Sequence, residues 1–160
     1  MQITANNPAL RAWIQIPTGS EFPIQNLPFG IFHTDGAAKR VGVRIGDFVL
    51  DLAQMAQFGY FDDLGFTHTD FRQDFLNPMM RHGKLATRAL RNRLAELLSS
   101  ENSSFQHNKD QHTALLPVEA VQLSLPVQIG DYTDFYSSKE HATNVGIMFR
   151  DPANALLPNW

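Results

Sequence analysis

Cysteine is absent from the 160 residues, which excludes disulfide staples, thiolate catalysis and thiolate-bound zinc, so any metal here is held by oxygen or imidazole. No apolar run approaches the roughly 18 residues of a membrane-spanning helix. The opening Met1-Gln2-Ile3-Thr4-Ala5-Asn6-Asn7-Pro8 lacks the basic start and apolar middle of a secretory signal. Together these fit a cytoplasmic protein. An excess of positive charge is missing too: 13 Lys and Arg face 16 Asp and Glu, a net charge of −3, so no footprint for nucleic acid or an anionic membrane exists. Tyrosine and tryptophan are scarce, at 3 and 2, whereas phenylalanine occurs 12 times. A hydrophobic content of 43% with 18% charged residues is globular composition, sufficient for one domain or for one domain and the opening of a second. The sequence closes on Ala155-Leu156-Leu157-Pro158-Asn159-Trp160, apolar and without a helical stop signal. A solvated tail is the usual end, so a cut within a longer chain is the expectation.

Hydrophobic patterning predicts a β meander first. Phe29-Gly30-Ile31-Phe32 is a short apolar strand closed by Thr34-Asp35-Gly36. Residues 39–45 alternate, with Val41, Val43 and Ile45 on one face and Arg40 and Arg44 on the other. Gly46-Asp47 turns the chain into a third strand over 48–52. Pro23 and Pro28 predict an extended, edge-like approach. Helical spacing follows over 52–59, with Gly59 as the stop, and Thr69 is an N-cap candidate for a short helix that Asn77-Pro78 closes. The strongest helix spans 83–98, with Leu85, Ala89, Leu94, Leu97 and Leu98 inward and Arg88, Arg91, Asn92 and Arg93 toward water. Residues 99–113 read as a solvated, partly disordered loop, and 118–125 as a strand ended by Pro126. The fold class expected is mainly β with helical additions, a small barrel over 1–125 and a domain boundary near 126.

Chemistry-bearing residues concentrate in 129–151. Asp134 and Tyr136 are two apart and share one face if the segment is extended. His141 follows the polar turn Ser137-Ser138 within a helical turn expected over 139–145, and Arg150 lies where a returning strand would bring it back. A carboxylate, a phenol, an imidazole and a guanidinium are the parts for holding a metal, positioning an anion and moving a proton. From spacing alone, solvated turn residues are the commoner reading of such a junction. Elsewhere the bland readings prevail. His107 and His112 are chance neighbours in a polar loop, His33 and His68 serve turns before Thr-Asp, and His82 starts a helix. Asp131 orders the turn after Gly130, and Asp62-Asp63 is a surface pair.

The string Ile129-Gly130-Asp131-Tyr132-Thr133-Asp134-Phe135-Tyr136-Ser137-Ser138, followed by His141-Ala142-Thr143-Asn144-Val145-Gly146-Ile147-Met148-Phe149-Arg150, closely resembles the fumarylacetoacetase family. Phe22-Pro23-Ile24-Gln25-Asn26-Leu27-Pro28-Phe29-Gly30, Ile45-Gly46-Asp47 and Leu50-Asp51-Leu52 resemble its N-terminal domain, so the likeness runs from about residue 20 to the end. The resemblance implies an SH3-like barrel over 1–125 and, over 126–160, the first strands of a β-rich catalytic domain. It implies that Asp134 binds a divalent cation, Mg2+ or Ca2+, through hard oxygen. It further implies that His141 is a general base on water, and that Tyr136 and Arg150 contact substrate. The implied reaction is hydrolysis of a carbon–carbon bond in 4-fumarylacetoacetate, giving fumarate and acetoacetate at the last step of tyrosine and phenylalanine degradation. A homodimer is implied for the full-length enzyme, with a small-molecule substrate and neither nucleic acid nor membrane as partner. Two other classes stand beside this one. A non-catalytic N-terminal piece would follow from the family's other metal ligands lying beyond residue 160. A freestanding SH3-like module would need an exposed aromatic groove for a proline-rich ligand.

Overall fold

The computed structural model describes residues 4–158 and Trp160, without the side chains of Gln111 and His112. The chain divides into two compact units, one ending at Gln128 and the other Ile129–Trp160.

The first unit is built on a five-stranded antiparallel sheet. β1 (Phe29–His33), β2 (Arg40–Ile45) and β3 (Phe48–Asp51) form the meander predicted from the alternation. The hairpin joining β2 and β3 pairs Ile45 with Phe48 across two turn residues, and Gly46 takes the left-handed backbone (φ +50°) that the turn requires. Ile31, Val41, Val43, Ile45 and Leu50 point from one face into the main core. The sheet continues with β4 (Leu115–Pro117) on β3 and β5 (Gln122–Ser124) on β1, in the order β4-β3-β2-β1-β5. No pairing of β4 with β5 closes it among the described residues. The single strand predicted over 118–125 is therefore corrected. A 3-10 turn, Val118–Ala120, held by Val118 N–H on the Asp47 carbonyl (2.9 Å), sends one segment to both edges of the sheet.

Among the described residues of this unit six α-helices pack on the core face. α1 (Leu52–Gln57) begins directly after β3, its first N–H groups at Ala53 and Gln54 capped by Asp51 Oδ1. It ends as predicted at Gly59 (φ +83°), where Gly59 and Tyr60 N–H groups return to the Ala56 and Met55 carbonyls. α2 (His68–Phe71) has Thr67 as its N-cap, two residues before the expected cap, because Asp70 accepts from the Thr67 N–H and hydroxyl. Pro78 opens α3 (Asn77–Arg81) where it was expected to close a helix, since a first-turn residue has no use for the missing N–H.

α4 (Gly83–Leu98) has the predicted bounds with a shifted face. Leu85 is 74% exposed and Leu90 is buried. Two of its arginines do not simply face water. Arg91 donates to the Ile24 and Gln25 carbonyls (3.1 and 2.8 Å), and Arg93 forks onto Asp63 (3.0 and 2.7 Å) and the Tyr60 carbonyl. The polar stretch 99–113 contains α5 (Ser103–Gln106), capped by Asn102, and α6 (Gln111–Ala114). Phe105 on α5 is fully buried, edge-on to the Trp13 and Tyr60 rings at 5.8 and 5.4 Å, and this anchoring overrides the local polarity. Residues 23–28 turn instead of running extended, with Asn26 N–H on the Pro23 carbonyl (2.8 Å) and Ile24 and Leu27 buried.

The second unit holds α7 (Lys139–Gly146) and a 3-10 turn, Pro152–Asn154. The catalytic-domain strands expected after residue 126 are not found: no strand follows Ser124 among the described residues. Extended segments need a hydrogen-bonded neighbour, and residues 129–138 are exposed without one.

Candidate functional site in the second unit

Ser138 has extended backbone (φ −92°, ψ 122°), and its hydroxyl accepts from the His141 N–H at 3.2 Å, capping α7. His141 therefore sits in the first turn of an eight-residue helix, with its side chain in solvent. The Tyr136 ring meets the His141 imidazole edge-on, centroids 5.0 Å apart at 82°, an arrangement that places the ring's positive edge against a π face. Arg150 follows the last turn of α7, its N–H on the Gly146 carbonyl at 2.9 Å. Its Nη1 donates to the Ala155 carbonyl at 3.2 Å. Tyr136 and Arg150 line one depression of about 210 Å³ with Val145, Phe149, Leu157 and Trp160.

Three of the four residues singled out from the sequence are thus associated: Tyr136 touches His141 and shares a depression with Arg150. Asp134 lies in the exposed irregular segment and does not line that depression, so the shared strand face expected for Asp134 and Tyr136 is not formed. Among the described residues no group of three carboxylate or imidazole side chains converges as a metal site. One carboxylate does not satisfy a cation that takes six or more oxygens. The residues present here do not by themselves fit Mg2+ or Ca2+.

Sequence reasoning missed Ser138 as a cap, although a serine three residues before a polar helical position is a legible signal. It also missed Gly146, whose importance depends on the backbone of Ala155, beyond the helix that Gly146 ends. The remaining histidines keep structural positions. His33 ends β1, His68 opens α2, His107 follows α5, and His82 bonds Asp70 at 2.9 Å between α3 and α4. The side chain of His112 lies outside the described residues. In the first unit, the sheet face opposite the core carries an apolar cleft of about 200 Å³ bounded by Phe22, Phe32, Val49, Leu123 and Arg44. Among the described residues no helix is long and apolar enough to cross a membrane.

Residues 25–126 match the family model described as fumarylacetoacetase N-terminal. The chain belongs to that family. It is similar to the fumarylacetoacetase of Dictyostelium discoideum, with 47% identity over 153 residues, covering 94% of this chain and 36% of that protein. It is 42% identical to the Homo sapiens fumarylacetoacetase over 151 residues, covering 93% of this chain and 36% of that protein. The Arabidopsis thaliana protein of the same name is 40% identical over 154 residues, with 94% and 37% covered. The chain spans about a third of the length of these curated relatives.

Proposed function

We propose that this chain supplies the N-terminal part of a fumarylacetoacetase, a hydrolase that cleaves a carbon–carbon bond of 4-fumarylacetoacetate in tyrosine and phenylalanine breakdown. The observation that carries the proposal is 47% identity to a fumarylacetoacetase over 94% of the chain. In this reading His141 takes a proton from water, and the oxygen attacks a carbonyl of the 1,3-diketone. The bond to the adjacent carbon breaks, that carbon leaves as an enolate, and a proton returned to it completes acetoacetate beside fumarate. Arg150 offers a planar fork to a carboxylate or enolate oxygen, and Tyr136 offers a phenol to the same ligand. Their common depression supports that division of labour.

Asp134 contributes one oxygen ligand to Mg2+ or Ca2+, and the other ligands come from polypeptide outside these residues. These 160 residues alone are accordingly inactive. The whole enzyme acts in the cytoplasm as a homodimer on a small molecule, with no nucleic-acid partner, and residues 126–160 open its catalytic domain.

We also propose that the five-stranded sheet of residues 1–125 is a partly open SH3-like barrel. In a flat five-stranded sheet the edges stand roughly 19 Å apart. Only residues 118–121 join β4 to β5, and three of them form a 3-10 turn rising about 2 Å per residue. So short a link favours a sheet curled until its edges approach. Phe32 and Val49, on the face away from the main core, are 1% and 4% exposed, which supports the same curl.

The test is loss of fumarylacetoacetate absorbance with the product of the complete reading frame that contains these residues. Metal-dependent turnover that falls by about 10²–10⁴ in His141→Ala is expected, the scale for removing a general base. Near-normal turnover in that variant overturns the assignment.

A further inference from the structure

Two groups of the second unit converge on one backbone oxygen. A Cβ at Gly146 would collide with the Ala155 carbonyl oxygen and stand 2.8 Å from the carbonyl carbon. Both residues are buried. The same oxygen accepts from Arg150 Nη1 at 3.2 Å, while the Arg150 N–H is bonded to the Gly146 carbonyl. The loop therefore closes on itself. The bare face of Gly146 admits the Ala155 backbone, and that backbone holds the guanidinium. No rotamer change relieves a side chain at 146, because the obstructing atoms are main chain. The residue must be glycine for the carbonyl to stand where Arg150 finds it.

We propose that Gly146 is the positioning residue for Arg150: it admits the Ala155 carbonyl that fixes the guanidinium in the Tyr136 depression. This rests on the reading of Arg150 as a substrate-binding group. One Nη is committed to the Ala155 oxygen, and the guanidinium's other N–H donors remain to take an anionic oxygen in a set orientation. Holding the fork before substrate arrives removes the ordering cost of a long side chain from binding. Gly146 accordingly acts on substrate affinity and leaves proton transfer at His141 untouched.

The test has two arms. NMR of the Arg150 guanidinium, which needs no substrate, is expected to show slowed Nη rotation in the unmodified protein and free rotation in Gly146→Ala. Free rotation in the unmodified protein overturns the proposal. In the product of the complete reading frame, Gly146→Ala and Arg150→Ala are each expected to raise KM about tenfold, the scale of one charge-assisted hydrogen bond. The double variant should match the singles, because one residue works through the other. Multiplying effects, or an unchanged KM in Gly146→Ala, overturn the proposal. If Gly146→Ala does not fold, Arg150→Lys decides, since a lysine point charge cannot hold the Ala155 oxygen and present a fork together. An unchanged KM there is again fatal. His141→Ala separates the two readings. Normal turnover in it tells against the proposed function, while the NMR arm still judges the role of Gly146.

Discussion

Arg40 Nε lies 2.5 Å from Asp51 Oδ2, and the other oxygen of the same carboxylate caps α1. One buried aspartate, 1% exposed, thus joins the central strand β2 to the strand–helix junction. Asp51→Ala would remove the cap and leave the Arg40 charge without its partner. Breaking a fully buried pair costs about 3–5 kcal/mol, and the partly exposed Arg40 side chain puts the expected loss at the lower end of that range. Asp51→Asn keeps an acceptor for the helix and should cost less. Urea denaturation of both variants checks this, and equal losses would mean that the cap contributes nothing.

Asp70 predicts the acid limb of stability. Burial alone would push its carboxyl up, but hydrogen bonds from the Thr67 backbone, the His82 ring and the Thr67 hydroxyl outweigh burial and hold it below the ordinary 3.8. A carboxyl depressed in the folded state stabilises fully above its unfolded pKa, and that contribution is lost as pH falls through the lower folded value. Urea midpoints of the unmodified protein and Asp70→Asn should differ at pH 7 and converge well below pH 4. A constant offset across that range would contradict the linkage.

Gly42 faces Gly30 across β1 and β2, and a Cβ on it would come within 2.7 Å of Phe32 and Val49. Gly42→Ala should therefore cost about 1–3 kcal/mol by overpacking. Phe32→Leu in the same chain should recover part of that loss. No recovery in the melting curve would locate the strain in the backbone.

Asp134→Asn in the product of the complete reading frame should weaken divalent-cation affinity about tenfold or more, since ligand charge sets affinity for a hard cation. Calorimetric titration measures this directly. Unchanged affinity would leave Asp134 a solvated turn residue.

What the sequence made legible follows the range of the interaction responsible. The meander and α4 came from alternation and helical spacing, which depend on near neighbours. The division of 115–124 between two sheet edges did not, because apolar alternation cannot distinguish one strand from two separated by a turn. Phe105 looked like part of a polar loop, and residues far away in sequence, the Trp13 and Tyr60 rings among them, make it core. In the second unit the helix after Ser138 was readable, and family resemblance supplied the residues worth following. The Gly146–Ala155 approach was not readable, since nothing in a local window says which backbone will arrive.

The split segment 115–124 bears on how the chain acquires its structure during synthesis. β1, β2 and β3 are neighbours in sequence and can form hairpins as soon as they emerge. Both outer edges of that meander then stay open until residues 115–124 appear. A nascent chain paused before Leu115 would offer two unpaired strand edges at once, the kind of surface that recruits other strands. A single late stretch then covers both. Premature termination ahead of this stretch should yield an aggregating product, whereas termination just beyond it should leave the sheet complete.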